Sequence, residues 1–154
     1  MSQDRPEPPT LLYLIKQVEL ATRAGLDELT RPAGLTALQY TALTVLERHP
    51  GLTAARLARN SFVTAQSMAD MVTTLLKRGL IERYRDPNDG RRLVITLTDD
   101  GRRLLDQLRP NVAALEARML TQLPGTAAEE LRRLLEACRH GLGDSATARG
   151  SDPG

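Results

Sequence analysis

The stretch Asp86-Pro87-Asn88-Asp89-Gly90-Arg91-Arg92-Leu93-Val94-Ile95-Thr96-Leu97-Thr98-Asp99-Asp100-Gly101 decides the fold. Asp86 to Gly90 is a dense run of turn-forming residues. Arg92 to Leu97 is rich in β-branched side chains and reads as a strand. Leu80 to Arg85, just upstream, reads as its partner. The two form a hairpin with an arginine pair near its tip, and Thr98 then caps a helix.

Upstream of the hairpin the chain reads as four helices. Apolar residues recur at helical spacing from Thr10 to about Thr30, and Pro32 and Gly34 end that run. Thr36-Ala37-Leu38-Gln39 is a capping box that opens a second helix, reaching about Arg48. His49-Pro50-Gly51 stops it. Thr53 caps a short third helix, Ala54 to Arg59, and Thr64 caps a fourth, Ala65 to Arg78, closed by Gly79. Downstream, a long helix carries Leu104, Leu108, Val112, Leu115 and Met119 on one face, and Pro110 within it predicts a kink. Thr126-Ala127-Ala128-Glu129 reads as a second capping box. It opens a last helix bearing Leu131, Leu134, Leu135, Cys138 and Leu142.

Two short helices, a brief turn and a β-hairpin make a winged helix-turn-helix. The fold class is therefore mainly α with a small β-hairpin wing. The first helix and the last two stand outside this core with apolar stripes of their own. A second copy of the chain is the economical partner for them. Leu11, Leu14, Ile15 and Val18 are expected to meet Leu131, Leu134, Leu135 and Leu142 in a homodimer. The organisation reads as a flexible arm at 1–9, a dimerisation helix within 10–35, the winged helix-turn-helix at 36–98, dimerisation helices within 99–142 and a disordered tail at 143–154.

Composition narrows the function. The chain has 154 residues, 41% of them hydrophobic, with one cysteine and two histidines. One cysteine excludes an internal disulfide framework, and so few ligands argue against a zinc-finger or zinc-ribbon site. No metal or other cofactor is expected. No apolar run approaches the roughly 20 residues that span a membrane, and the first residues lack the apolar core of a signal peptide. A cytoplasmic location is the expectation. Residues 50–103 hold ten Lys/Arg against six Asp/Glu, a net +4, while the rest of the chain carries −2. The basic excess suits a polyanion such as DNA; a solvated face is the plainer account. Gly-x-Ser-x-Gly, phosphate-loop, His-Glu-x-x-His and Gly-x-Gly-x-x-Gly motifs are all missing, so no enzyme is indicated.

Four stretches resemble the multiple antibiotic resistance regulator (MarR) family, over about residues 11–142. They are Gly34 to Tyr40 at the start of helix two, Leu52 to Ala58 in the first helix of the helix-turn-helix, Leu75 to Arg83 at the end of the recognition helix, and the wing signature Asp86 to Gly101. The resemblance implies a dimeric transcriptional regulator, most often a repressor, on a two-fold double-stranded DNA operator. It places the wing arginine, Arg91, on DNA and gives Asp89 a supporting role, which a bidentate Asp–Arg pair would fill; alternatively that pair merely stabilises the turn. Thr64, Gln66 and Ser67 open the recognition helix, where short polar side chains reach base edges or phosphates. Thr64 also reads simply as an N-cap and Ser67 as a solvated helix residue. Thr53, Arg83, Arg85 and Arg92 are further contact candidates, with Arg56, Arg59 and Lys77 as phosphate candidates. Asp70 departs from the arginine common near this position in the family. It either accepts from a cytosine amino group or pairs with a neighbouring arginine.

The resemblance also implies a small aromatic or phenolic effector between helices one, two and five. Tyr13, Gln17 and Tyr40 read as its lining or as amphipathic core residues. Cysteine-based peroxide sensing, known in some relatives, has no counterpart in the first helix here. Cys138 is expected to be a buried, inert thiol. The rival reading is a winged-helix module that binds protein rather than DNA. The mild net charge and Asp70 favour it, and the arginine-tipped wing opposes it.

Overall fold

The computed structural model describes residues 6–143. The proposed arm and tail fall largely outside the described residues. Six α-helices and one antiparallel hairpin follow in the order α1 (Leu11–Thr30), α2 (Ala37–Arg48), α3 (Ala54–Asn60), α4 (Ala65–Lys77), β1 (Ile81–Asp86), β2 (Asp89–Leu97), α5 (Asp99–Met119) and α6 (Ala127–Gly141). A single 3-10 turn, Arg31–Ala33, links α1 to α2.

Threonine sets most of the helix starts. Thr10, Thr36, Thr53, Thr64 and Thr98 each lie in extended backbone, and each side-chain oxygen accepts the N–H three residues on. This satisfies one of the N–H groups that a helix N-terminus leaves open. The box at Thr36 is complete, because Gln39 Oε1 also accepts the Thr36 N–H at 3.1 Å. The box expected at Thr126 does not form. Thr126 is already helical, at φ −93° and ψ −2°, and makes no side-chain cap. A turn explains why: the Ala127 N–H donates to the Pro124 carbonyl at 2.9 Å, which winds Thr126 into the preceding turn. Helix α5 runs through Pro110 to Met119 without a break.

The core lies within the winged helix-turn-helix. Leu43, Leu46, Leu57, Met68, Leu75 and Ile95 are almost fully buried there, and Leu105 and Leu108 of α5 seal one side. Strand β2 is buried at both Val94 and Ile95 because a third segment joins it: Leu52 bridges Ile95 antiparallel. Helix α1 meets α5 closely at Gly25, where an added Cβ would lie 2.7 Å from a Leu115 methyl carbon. The Asp27 carboxylate of α1 accepts the Ala37 N–H of α2 at 2.7 Å, so one helix caps the next.

The outer helices present apolar side chains to the surface. Leu11, Leu14, Ile15, Val18, Leu134, Leu135 and Leu142 are all at least 41% exposed. Leu131 is partly buried. Cys138 is exposed on the same helix, contrary to the expectation of a buried thiol. Among the described residues no helix is long and apolar enough to cross a membrane.

Candidate nucleic-acid interface

The turn of the wing is braced from within. Asp86 Oδ1 accepts the Asn88 N–H at 2.9 Å, and Asp89 Oδ1 accepts the Arg91 N–H at 3.2 Å. Both are side chain-to-backbone turns of the kind Asp favours. The Arg85 guanidinium crosses the hairpin and donates to the Gly90 carbonyl at 2.9 Å. The supposed Asp89–Arg91 ion pair is therefore replaced: Asp89 holds the backbone of Arg91 and leaves the guanidinium alone. Among the described residues the Arg91 and Arg92 side chains make no hydrogen bond or ion pair, and both are exposed. Arg83 is exposed on β1, facing Ile95 in the register. The wing thus uses Arg85 for its own shape and leaves the Arg91 and Arg92 guanidinia unengaged among the described residues.

The first turn of α4 has a similar division of labour. The Thr64 hydroxyl accepts the Ser67 N–H at 3.1 Å and donates to Ser67 Oγ at 3.1 Å. The two hydroxyls are thereby held together at the start of α4. Gln66 is exposed, and its amide is unengaged among the described residues. Thr53 caps α3, accepting from Arg56 at 3.3 Å. Asp70 is exposed, and among the described residues its carboxylate makes no pair with a neighbouring arginine. It lines a groove with Arg23 and Asp27 of α1, Gln39 of α2 and Ser67.

Tyr13 and Gln17 lie exposed on the first turns of α1. Tyr40 is half-buried, beside the core. Burial pushes its phenol above the ordinary tyrosine range, against the nearby Arg109 charge. Arg109 itself ties α5 to α2 by donating to Glu47. None of the three proposed effector residues lines the cavity between α1 and α5, of about 350 Å³, which is walled by Val18, Ala21, Leu26, Val112, Leu115 and Met119.

Sequence reasoning missed Arg78. Its guanidinium clamps the Ala33 and Gly34 carbonyls at 2.7 and 2.9 Å, pinning the end of α4 to the α1–α2 connection. The only signal was a turn with Pro32 and Gly34, whose carbonyls need donors.

A MarR family model matches residues 33–92. The helix-turn-helix-type transcriptional repressor Rv2887 of Mycobacterium tuberculosis is 35% identical over 124 residues, which cover 80% of this chain and 89% of that protein. The crystal structure of Rv2887, described as a MarR family protein in complex with salicylic acid, superposes with a TM-score of 0.72 at 33% identity, covering 87% of this chain and 99% of that one. Apo wild-type MarR from E. coli gives a TM-score of 0.76 at 26% identity, covering 86% of this chain and 98% of that one. CouR from Rhodococcus jostii RHA1, bound to p-coumaroyl-CoA, gives 0.73 at 26% identity, covering 83% and 90%. Rv2887 is named a transcriptional repressor, not an enzyme, and it aligns over the winged core and the outer helices alike. The chain belongs to the MarR family of winged-helix transcriptional regulators.

Proposed function

We propose that the chain is a dimeric repressor that reads a two-fold DNA operator and releases it on binding a small aromatic ligand. The observation that carries this reading is the wing: a turn braced by Asp86, Asp89 and Arg85 presents two unengaged guanidinia, Arg91 and Arg92. A guanidinium on a rigid tip suits a minor groove, where narrow A·T tracts concentrate negative potential. Gln66 and Ser67 enter the major groove, where Gln66 can pair bidentately with adenine. Thr64 positions the Ser67 hydroxyl, and Thr53, Arg83 and the α3 arginines serve phosphates. Arg85 acts by shaping the wing. The exposed carboxylate of Asp70 suits a cytosine amino group better than a phosphate.

Dimerisation uses the exposed stripes. Leu11, Leu14, Ile15 and Val18 of one protomer pack on Leu131, Leu134, Leu135 and Leu142 of the other, which removes several large apolar side chains from water. A two-fold dimer sets its recognition helices about 34 Å apart, one turn of DNA. The aromatic ligands named in the Rv2887 and CouR structures support an effector of that class near α1, α2 and α5, with Tyr13, Gln17 and Tyr40 from this chain. The test is selection of genomic fragments by the purified chain at low salt. Enrichment of an imperfect palindrome is expected. No enrichment at low salt, where phosphate contacts are strongest, would overturn DNA binding and favour a protein partner.

A further inference from the structure

Arg78 stands at the junction of α4 and the wing. It is the C-cap of α4, at φ −80° and ψ −3°. The helix stops there because Gly79 turns left-handed, at φ +67°, and the Leu80 N–H reaches back to the Leu75 carbonyl at 3.1 Å. Ile81 then opens β1. A side chain at this joint is borne by both elements of the candidate interface.

The Arg78 guanidinium reaches away from both, to the Ala33 and Gly34 carbonyls, 45 and 44 residues distant in sequence. Among the described residues these are the only hydrogen bonds that join α4 and its cap to α1 or to the α1–α2 connection. Arg78 is exposed, so water could satisfy its donors at no cost in side-chain freedom. Burial does not force the clamp; the match of a planar fork to two successive carbonyls makes it. The receiving end is tied to α1 in turn. The buried Thr30 hydroxyl lies within hydrogen-bond reach of the Leu26 and Leu35 carbonyls, at 2.8 and 3.0 Å. The Leu35 N–H returns to the Thr30 carbonyl at 3.2 Å, and the Gly34 N–H to that of Arg31 at 2.8 Å. Hydrogen bonds therefore run from α1 through the connection and Arg78 to the end of α4.

We infer that Arg78 is a positioning residue for operator recognition: it fixes the recognition helix and wing relative to α1, and so sets the half-site spacing that the dimer accepts. This rests on the dimeric repressor reading. Without the clamp the winged core still folds on Leu57, Met68 and Leu75, which stay buried, but each reading head gains freedom against α1. A correctly spaced operator then has to freeze that freedom on binding, while a mis-spaced one becomes easier to reach. Affinity that comes from phosphates alone does not depend on the spacing.

The first measurement needs no DNA. Spin labels are placed at Glu28→Cys on α1 and Thr73→Cys on α4, both exposed positions, in a Cys138→Ser background. Labelled chain is mixed with excess unlabelled chain, so that distances are read within one protomer. The distance distribution is expected to broaden in Arg78→Met. It is expected to keep its width in Val45→Ala, a core substitution in α2 that lowers stability without touching the clamp. An unchanged width in Arg78→Met overturns the inference, whatever the chain does on DNA. Equal broadening in Val45→Ala also overturns it, because lost stability would then be the cause.

The second measurement uses the operator recovered by selection, and the same site with one base pair inserted or removed between its halves. Wild type is expected to prefer the natural spacing. In Arg78→Met that preference is expected to shrink at least about fivefold, with non-operator affinity and the salt slope unchanged. A preserved preference overturns the inference. A salt slope smaller by about one, with all sites weakened alike, overturns it too, by making Arg78 a phosphate contact. If wild type recovers no operator, the repressor reading has failed and the assignment to operator spacing falls with it. The label distances separate the two failures, since they report the clamp alone.

Discussion

A side-chain carbon placed on Gly101 would lie 2.2 Å from the carbonyl oxygen of Leu80. The first turn of α5 therefore rests directly on the backbone where the wing begins. Thr98 tightens the same joint, with its N–H donating to Leu80 O at 3.1 Å and its hydroxyl to Gly79 O at 2.6 Å. The wing and α5 are thus joined by direct backbone contact. Gly101→Ala is expected to cost about 1–3 kcal/mol from overpacking, read by urea unfolding. A loss within error of zero would mean that the joint is slack.

Thr64→Ala should remove the α4 cap and cost about 1 kcal/mol. It should also weaken operator binding, because Ser67 loses the hydroxyl partner that orients it. Thr64→Ser keeps both interactions and should restore stability and affinity together. Restored stability with affinity still lost would place the effect in the Thr64 methyl group instead.

Alkaline pH should act through Tyr40. Its phenol is pushed up by burial, while an unfolded tyrosine titrates near about 10. The folded pKa is the higher one. The stability that this difference represents is present in full below the unfolded pKa and is lost as pH rises through the folded pKa. The melting temperature of wild type should thus fall more steeply above about pH 10 than that of Tyr40→Phe. Parallel curves would show that Tyr40 titrates as it does in water.

Leu135 is half-exposed on α6 and contributes little to the protomer core. Leu135→Glu should leave helicity intact and yield monomers by sedimentation velocity. A dimer that persists would move the interface away from α6.

Much of the fold was legible because its determinants are local. The caps at Thr36, Thr53, Thr64 and Thr98, the turn at Pro87 to Gly90 and the β-branched run to Leu97 act within a few residues of themselves. The box at Thr126 misled because a turn begun at Pro124 had already set its backbone. The Arg78 clamp and the Asp27 cap were not legible, because each joins residues distant in sequence. In the wing, the pair expected between the Asp89 carboxylate and the Arg91 guanidinium is a bond from the Arg91 N–H instead. Asp89 sits two residues from Arg91, and at that spacing a carboxylate reaches the backbone N–H more readily than the guanidinium. The positive φ of Phe62, which follows the α3 C-cap where the Val63 N–H returns to the Ala58 carbonyl, had no signal in its residue type.

The central claim is that Arg91 enters DNA from a wing already braced without it. The most direct measurement is operator affinity against salt for wild type and Arg91→Ala, beside their melting curves. The account predicts equal melting, at least about tenfold weaker binding, and a salt slope smaller by about one phosphate contact. Equal affinity and an unchanged slope, with the fold intact, would contradict it.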